Sequence, residues 1–232
     1  MARFAHYSLN TRGRDFAVGD IHGHFSRLQA ALDQIGFNPE CDRLFSVGDL
    51  VDRGPQSELA LQWLERPWFA AVQGNHEALA IQHAQGLSLD QAMYRASGGG
   101  WFIDSSAQSQ RRFAAGFARL PIALEVETRL GPVGIVHADC PFASWGELRD
   151  YLSGDTQAQI AVEEVCQWSR SRVRNHDTTG IREVRAVLVG HTTQRQPTVL
   201  GNVYHIDTGG WSNGCFTLVE LDGLGFVRPD AN

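Results

Sequence analysis

Gly48-Asp49-Leu50-Val51-Asp52-Arg53-Gly54 follows directly on the apolar run Leu44-Phe45-Ser46-Val47, and Gly19-Asp20-Ile21-His22-Gly23 follows Phe16-Ala17-Val18 in the same way. Short β-branched and aromatic runs of this kind read as strands buried on one or both faces. A glycine at the strand's end lets the backbone turn sharply and frees the next side chain to point at a ligand. In an α/β sheet the carboxyl ends of the strands line the ligand crevice, so the two aspartates are placed where chemistry is done.

The same pattern recurs outward along the chain. Phe69-Ala70-Ala71-Val72 runs into Gly74-Asn75-His76-Glu77, Gly134-Ile135-Val136 into His137-Ala138, and Val187-Leu188-Val189 into Gly190-His191-Thr192. A lone Gly-Asp is a turn and a lone histidine is ordinary core, but five strand ends of one kind are neither. Asp20, His22, Asp49, Asn75, His137 and His191 are therefore expected to converge. Oxygen and nitrogen donors without a thiolate suit Mn, Fe or Zn rather than Cu(I) or an iron–sulfur cluster. Six ligands are too many for one catalytic metal that keeps an open position, and they suit two metals sharing a carboxylate. His6, His24, His83, His176 and His205 lack the strand-end setting and read as ordinary residues. Asp139 reads as a turn residue.

Helical patterns lie between the early strands. Phe25, Leu28, Leu32 and Ile35 mark one helix face, Leu59, Leu61 and Leu64 a second helix, and Ala78 to Ala84 a third. The first third is thus β-α-β-α-β, and the last third has further strands, Val203 to Ile206 and Phe216 to Leu221, without long helices between them. An α/β protein is expected, parallel at first and mixed later. Residues 88–119 read as a helical insert, with Gly98-Gly99-Gly100 as a turn. Neither a repeat nor a break in composition divides the chain, so residues 1–232 are expected to form one domain.

Composition narrows the chemistry. With 43% hydrophobic and 20% charged residues over 232 positions, the chain can build a sizeable core. All 20 basic residues are Arg, a habit read as genome composition, and the absence of Lys excludes a Schiff base, a P-loop lysine and a lysine general base. A charged phosphate grip must therefore come from Arg. The net charge of -6 argues against nucleic acid as the main partner. Cys41, Cys140, Cys166 and Cys215 form no Cys-x-x-Cys pair and read as free thiols of a reducing compartment. With no signal-peptide core or membrane span in the sequence, a soluble cytoplasmic protein is expected.

Asp20-Ile21-His22-Gly23, Gly48 to Gly54 and Gly74-Asn75-His76-Glu77 together resemble the three signatures of the phosphoprotein phosphatase branch of the calcineurin-like metallophosphoesterases. The likeness is strongest to the compact phage lambda-type serine/threonine phosphatases found also in bacteria. It extends over nearly the whole chain through Pro67-Trp68-Phe69, Gly98 to Phe102, His137-Ala138-Asp139, Gly190-His191-Thr192 and Ile206-Asp207-Thr208-Gly209. It implies a β-sandwich of mixed sheets flanked by helices, in α/β/β/α layers. It also implies a phosphomonoesterase in which a hydroxide held between two divalent metals, Mn²⁺ first and Fe or Zn as alternatives, attacks phosphorus. Asp20 and His22 would hold one metal, Asp49 would bridge, and Asn75, His137 and His191 would complete the second. Arg53 and Arg170 would grip the phosphate, with Arg172 a neighbouring alternative. His76, oriented by Asp52, would protonate the leaving group. The implied partner is a phosphorylated protein or peptide.

One departure is Gln73, where relatives commonly carry Arg; it removes a positive charge near the cleft. The main competitor is a dinucleoside polyphosphate hydrolase of the same superfamily. Such relatives typically lack the acid at position 52 and carry Asp at position 77, where this chain has Asp52 and Glu77. A metal-dependent nuclease is a weaker alternative, given the acidic balance and the lack of a basic strip, and a non-catalytic metal-stabilised module is weaker because every ligand and His76 are present.

Overall fold

Alternation along the strands decides the layers in the computed structural model, which describes residues 3–154 and 159–227. In β7 (Ala186–Val189), Ala186 and Leu188 enter one core while Val187 and Val189 enter another. In β2 (Asp15–Val18), Ala17 points one way and Phe16 and Val18 the other. Strands covered on both faces read as continuous apolar runs, which is why these two were visible in the sequence.

Two mixed sheets result. One orders β11 (Gly225–Val227), β10 (Leu218–Glu220), β2, β3 (Arg43–Ser46) and β4 (Phe69–Ala71), with β2, β3 and β4 parallel and β10 antiparallel to both of its neighbours. The other orders β1 (Phe4–Tyr7), β5 (Ala123–Val126), β6 (Val133–Val136), β7, β9 (Val203–His205) and β8 (Thr198–Leu200). Their shared core includes Phe45, Val47, Leu124, Val126, Val133, Ile135, Leu188, Ile206 and Val219. Helices cover both outer faces. Against the first sheet lie α1 (Phe25–Gln34), α2 (Ala60–Leu64), α3 (Asn75–Ala84) and α6 (Ala107–Phe117), which supply Phe25, Leu28, Trp63, Leu79 and Phe117 to one core. Against the second lie α7 (Trp145–Ser153) and α8 (Gln159–Trp168), which supply Trp145, Leu148 and Cys166 to the third. The expected α/β/β/α layering is the one observed.

One sequence reading needs revision and two features were not anticipated. Gly98-Gly99-Gly100 is not a free turn: it lies inside a helical run from α4 (Gln91–Tyr94) to α5 (Gly100–Ile103), broken at Gly98 with φ +106°. The passage from β6 to β7 is helical, with α7, α8 and α9 (Ser171–Asn175) in succession. β1 was not anticipated, because Phe4-Ala5-His6-Tyr7 is half polar and only partly buried. Register sets the strand ends level. Val18 faces Ser46 and Ser46 faces Ala71, while Leu188 faces Tyr204, so the segments after β2, β3, β4, β6, β7 and β9 leave together. Among the described residues no helix is long and apolar enough to cross a membrane.

Phe45 is 1% exposed between the sheets, with its ring 5.0 Å from that of Tyr7. Phe45→Ala is expected to cost about 3–5 kcal/mol in urea unfolding. Val199→Ala, at a position 41% exposed on β8, is expected to stay within about 0.5 kcal/mol. Equal effects would place Phe45 outside a packed core.

Candidate metal centre

The segments after the strands are held in unusual backbone. Among the described residues, five of the eight non-glycine residues with positive φ are His22, Asp49, Asp52, Arg53 and His191. L-residues reach this region at a cost, and such strain collects where a side chain must be aimed. The close approach also explains Gly190, since a Cβ there would collide with Asp20 Oδ1.

Each of three histidines ties one ring nitrogen to a backbone carbonyl: His22 Nδ1 to Val51 O (2.8 Å), His137 Nδ1 to Val47 O (2.7 Å) and His191 Nε2 to Trp168 O (3.1 Å). That bond orients each ring and turns its other nitrogen toward the cluster, as metal-binding histidines are usually held. Asn75 Oδ1 lies 2.9 Å from both His137 Nε2 and His191 Nδ1. Asp49 Oδ2 lies 3.6 Å from His22 Nε2 and 3.4 Å from His137 Nε2, and Asp20 Oδ2 lies 3.9 Å from His22 Nε2. The six expected ligands are thus brought together, all buried. Acceptors facing one another this closely repel unless a proton or a cation joins them. The donors therefore suit a hard or borderline divalent cation. Among the described residues, two groups meet the spacing for one ion: His22, Asp49 and His76, and Asp49, His137 and His191.

The field within the cluster divides the histidines. Burial pushes His22 well down, and burial with His137 pushes His191 to about 3. Burial acts against charge on His137 too, but Asp49 outweighs it and lifts the imidazole to about 9. Burial likewise opposes charge on His76, yet Asp49 and Asp52 together raise it. Burial, Asp207 and Asp49 hold Asp20 well above the carboxylate range.

His76 Nδ1 bonds Asp52 Oδ2 at 2.6 Å, and its Nε2 is 3.8 Å from Asp49 Oδ2. Arg53 reaches over the same place, with Nη1 2.6 Å from His22 Nε2 and Nη2 3.2 Å from His76 Nε2. Arg170 is exposed, and its charge contributes to lowering His191. Arg172 is instead committed to the fold: its Nε donates to Asp139 Oδ1 at 2.8 Å and its Nη1 to Thr179 O at 2.8 Å. Asp139 is accordingly half of a buried ion pair rather than a turn residue. Gln73 faces away from the cluster, donating to Phe117 O and accepting from Gln167, each at 2.9 Å. His205, read as ordinary core, is buried, with no hydrogen-bond partner on either ring nitrogen.

Four residues at the site were given no role by sequence reasoning, although three of them lie in the blocks that carry the family resemblance. Asp207 follows β9 beside Asp20 and accepts from Thr193 Oγ1 at 2.6 Å; the strand-end rule applied to Val203–Ile206 points to it. Trp211 stacks under Arg53, with the guanidinium carbon 4.6 Å from the ring centroid. Trp101 bonds Asp52, and no local pattern announces either tryptophan. Glu77, noted only as a family marker, accepts backbone N–H groups of Asp49 (3.0 Å), Leu50 (2.8 Å) and Gly74 (2.8 Å), so it clamps two of the ligand loops.

With this geometry in place, comparison with known proteins assigns the family. The chain belongs to the calcineurin-like phosphoesterases, whose model matches residues 16–195. It is 36% identical to serine/threonine-protein phosphatase 1 of Salmonella typhimurium over 209 residues, 89% of this chain and 91% of that one. Over 64 residues, 27% of this chain and 22% of the other, it is 50% identical to the symmetrical bis(5'-nucleosyl)-tetraphosphatase of Pseudomonas syringae pv. syringae. A solved protein serine/threonine phosphatase of Saccharomyces cerevisiae shares the fold, with TM-score 0.63 and 17% identity over 94% of this chain and 76% of that one. The chain is therefore a phosphoesterase with Asp and His groups able to hold metal.

Glu77 offers two oxygens to three buried N–H groups. Glu77→Gln replaces one oxygen with a donor facing donors. At pH 8 a loss of about 1–3 kcal/mol is expected, read by thermal or urea unfolding. Unchanged stability would show that the loops hold without the clamp.

Proposed function

We propose that the chain hydrolyses phosphoserine and phosphothreonine in proteins or peptides, with two divalent cations held by Asp20, His22, Asp49, Asn75, His137 and His191. The observation that carries this reading is the buried His76–Asp52 pair, 2.6 Å apart, beside the cluster and under Arg53. A serine alkoxide is a poor leaving group, and a protonated imidazole at that place is what its departure requires. The identity to a named protein phosphatase over most of both chains supports the same substrate class.

When bound, the cations, Mn²⁺ by preference with Fe or Zn as alternatives, supply Lewis acidity and a nucleophile competent near neutral pH. The rest falls to the chain's own side chains. Arg53, braced on Trp211, and Arg170 neutralise the equatorial oxygens of the phosphoryl group. His76 Nε2 gives its proton to the departing oxygen, while Asp52 on Nδ1 orients the ring and stabilises its positive charge. The reaction is a single displacement by water with no phosphoenzyme. Residues 1–232 act as one domain in this reading, since both sheets deliver ligands to the one cluster. The proposed setting is the cytoplasm.

A second reading, hydrolysis of dinucleoside polyphosphates, draws on the short stretch of high identity to a tetraphosphatase. Its leaving group is a phosphate, which needs less protonation, so a buried His76–Asp52 pair is less useful to it.

His76→Asn separates these roles. With Mn²⁺ present, the variant is expected to keep its metal and to lose about 10²–10⁴-fold on a phosphoserine peptide but much less on p-nitrophenyl phosphate, whose phenolate leaves unaided. An equal fall on both substrates with one metal missing would make His76 a ligand. Faster turnover of diadenosine tetraphosphate than of the phosphopeptide by the unmodified protein would favour the second reading.

Arg170→Ala is expected to lower kcat/KM about 10²-fold with stability intact, as loss of a transition-state donor does. Arg172→Ala breaks the buried pair with Asp139 and is expected to cost about 3–5 kcal/mol in unfolding. The reverse pattern would exchange their roles.

A further inference from the structure

Asp52 is wholly buried and has two carboxylate oxygens to satisfy. His76 Nδ1 takes Oδ2 at 2.6 Å, and Trp101 Nε1 donates to Oδ1 at 2.7 Å. Trp101 belongs to α5, in the helical stretch between α3 and β5 that the proposed chemistry does not otherwise use. Its ring is fixed edge-on against Phe113 (5.1 Å) and Phe102 (5.6 Å). One turn earlier, Gly98 at φ +106° lies against the Arg53 backbone so closely that a Cβ would strike Arg53 N. The stretch thus meets consecutive residues, Asp52 through a side chain and Arg53 through the main chain.

We propose that Trp101 is a positioning residue for the His76–Asp52 pair, its indole N–H holding one Asp52 oxygen so that the other stays on His76 Nδ1. This rests on the reading of His76 as the acid. The terminal torsion of an aspartate is soft, so a carboxylate held by one donor can swing. A second donor on the opposite oxygen, carried by a ring that is itself packed, removes that freedom. Indole is a donor only: it can neither accept the His76 proton nor compete for it. Asp52 N also donates to Ser57 Oγ at 2.9 Å, so the backbone end of the residue is fixed independently.

The test is Trp101→Phe in the full chain with Mn²⁺, which removes the N–H and keeps an aromatic ring in the packed site. Metal content, kcat and KM are measured on a phosphoserine peptide and on p-nitrophenyl phosphate, alone and in an Asp52→Asn background. Expected are unchanged metal and KM, a kcat lower by about tenfold on the peptide, a part of the roughly 10²–10⁴-fold that general acid catalysis contributes, and a clearly smaller fall on p-nitrophenyl phosphate. In the Asp52→Asn background the substitution should add nothing, since residues acting through one another are non-additive. An equal fall on both substrates, or a full further loss in that background, would overturn the proposal. Should Asp52→Asn itself show no leaving-group dependence, the acid reading fails and the proposal with it. Dependence in Asp52→Asn but not in Trp101→Phe removes the proposal alone. A readout independent of turnover is the Trp101 indole ¹H–¹⁵N resonance, assigned by its loss in Trp101→Phe. It is expected downfield and to move upfield in Asp52→Asn, and an unmoved resonance would also overturn the contact.

Discussion

Every polar part of Asp49 is engaged. Its carbonyl accepts from Ile21 N (3.1 Å) and His22 N (2.8 Å), its N–H donates to Glu77 Oε2 (3.0 Å), and its carboxylate accepts from His76 N (3.1 Å). The same carboxylate stands 3.4–3.8 Å from ring nitrogens of His22, His76 and His137. Three ligand segments are therefore registered against one residue. Burial opposes the carboxylate's charge, but His137 and His76 outweigh it and hold Asp49 well below the usual carboxylate range. A carboxylate held toward its charged form at the meeting point makes the arrangement of donors around it specific.

Such a centre is costly, and the surrounding layers offset the cost. Asp20, His22, Asp49, Asp52, Asn75, His76, Glu77 and His137 are buried together, several of them in left-handed backbone. Buried polar and charged groups need partners, and strained residues persist only where their surroundings over-determine them. The partners here are largely main-chain groups: Val47 O, Val51 O and Trp168 O for the histidines, and N–H groups for Glu77. These belong to the ends of strands and helices whose apolar faces fill three cores, so the site's geometry is inherited from the packing of the sheets.

Much of this was legible in the sequence because strand ends carry a local signature. An apolar run followed by glycine and a donor, or by a histidine, places a donor side chain at the site without any knowledge of its partners. Asp20, Asp49, Asn75, His137 and His191 were all reached that way. What stayed hidden depends on contacts across the chain. Trp101 and Asp52 are 49 residues apart in sequence and meet across the fold, next to the kink at Gly98. Arg172 and Arg170 look alike in sequence, and only the burial of one against Asp139 separates them. The helices between β6 and β7 and the partly exposed β1 lack the continuous apolar signal that marked the inner strands.

Sharing of Asp49 between two cations is the most exposed part of this reading, and metal counting tests it directly. Wild-type protein, Asp49→Asn and Asp20→Asn would be stripped, reloaded with Mn²⁺ and assayed for bound metal, with anomalous diffraction locating each ion. Two ions per chain are expected in the wild type and weakened binding of both in Asp49→Asn, since loss of a shared charge weakens two sites together. Asp20→Asn is expected to weaken one. A fully occupied pair of ions in Asp49→Asn would contradict the shared carboxylate.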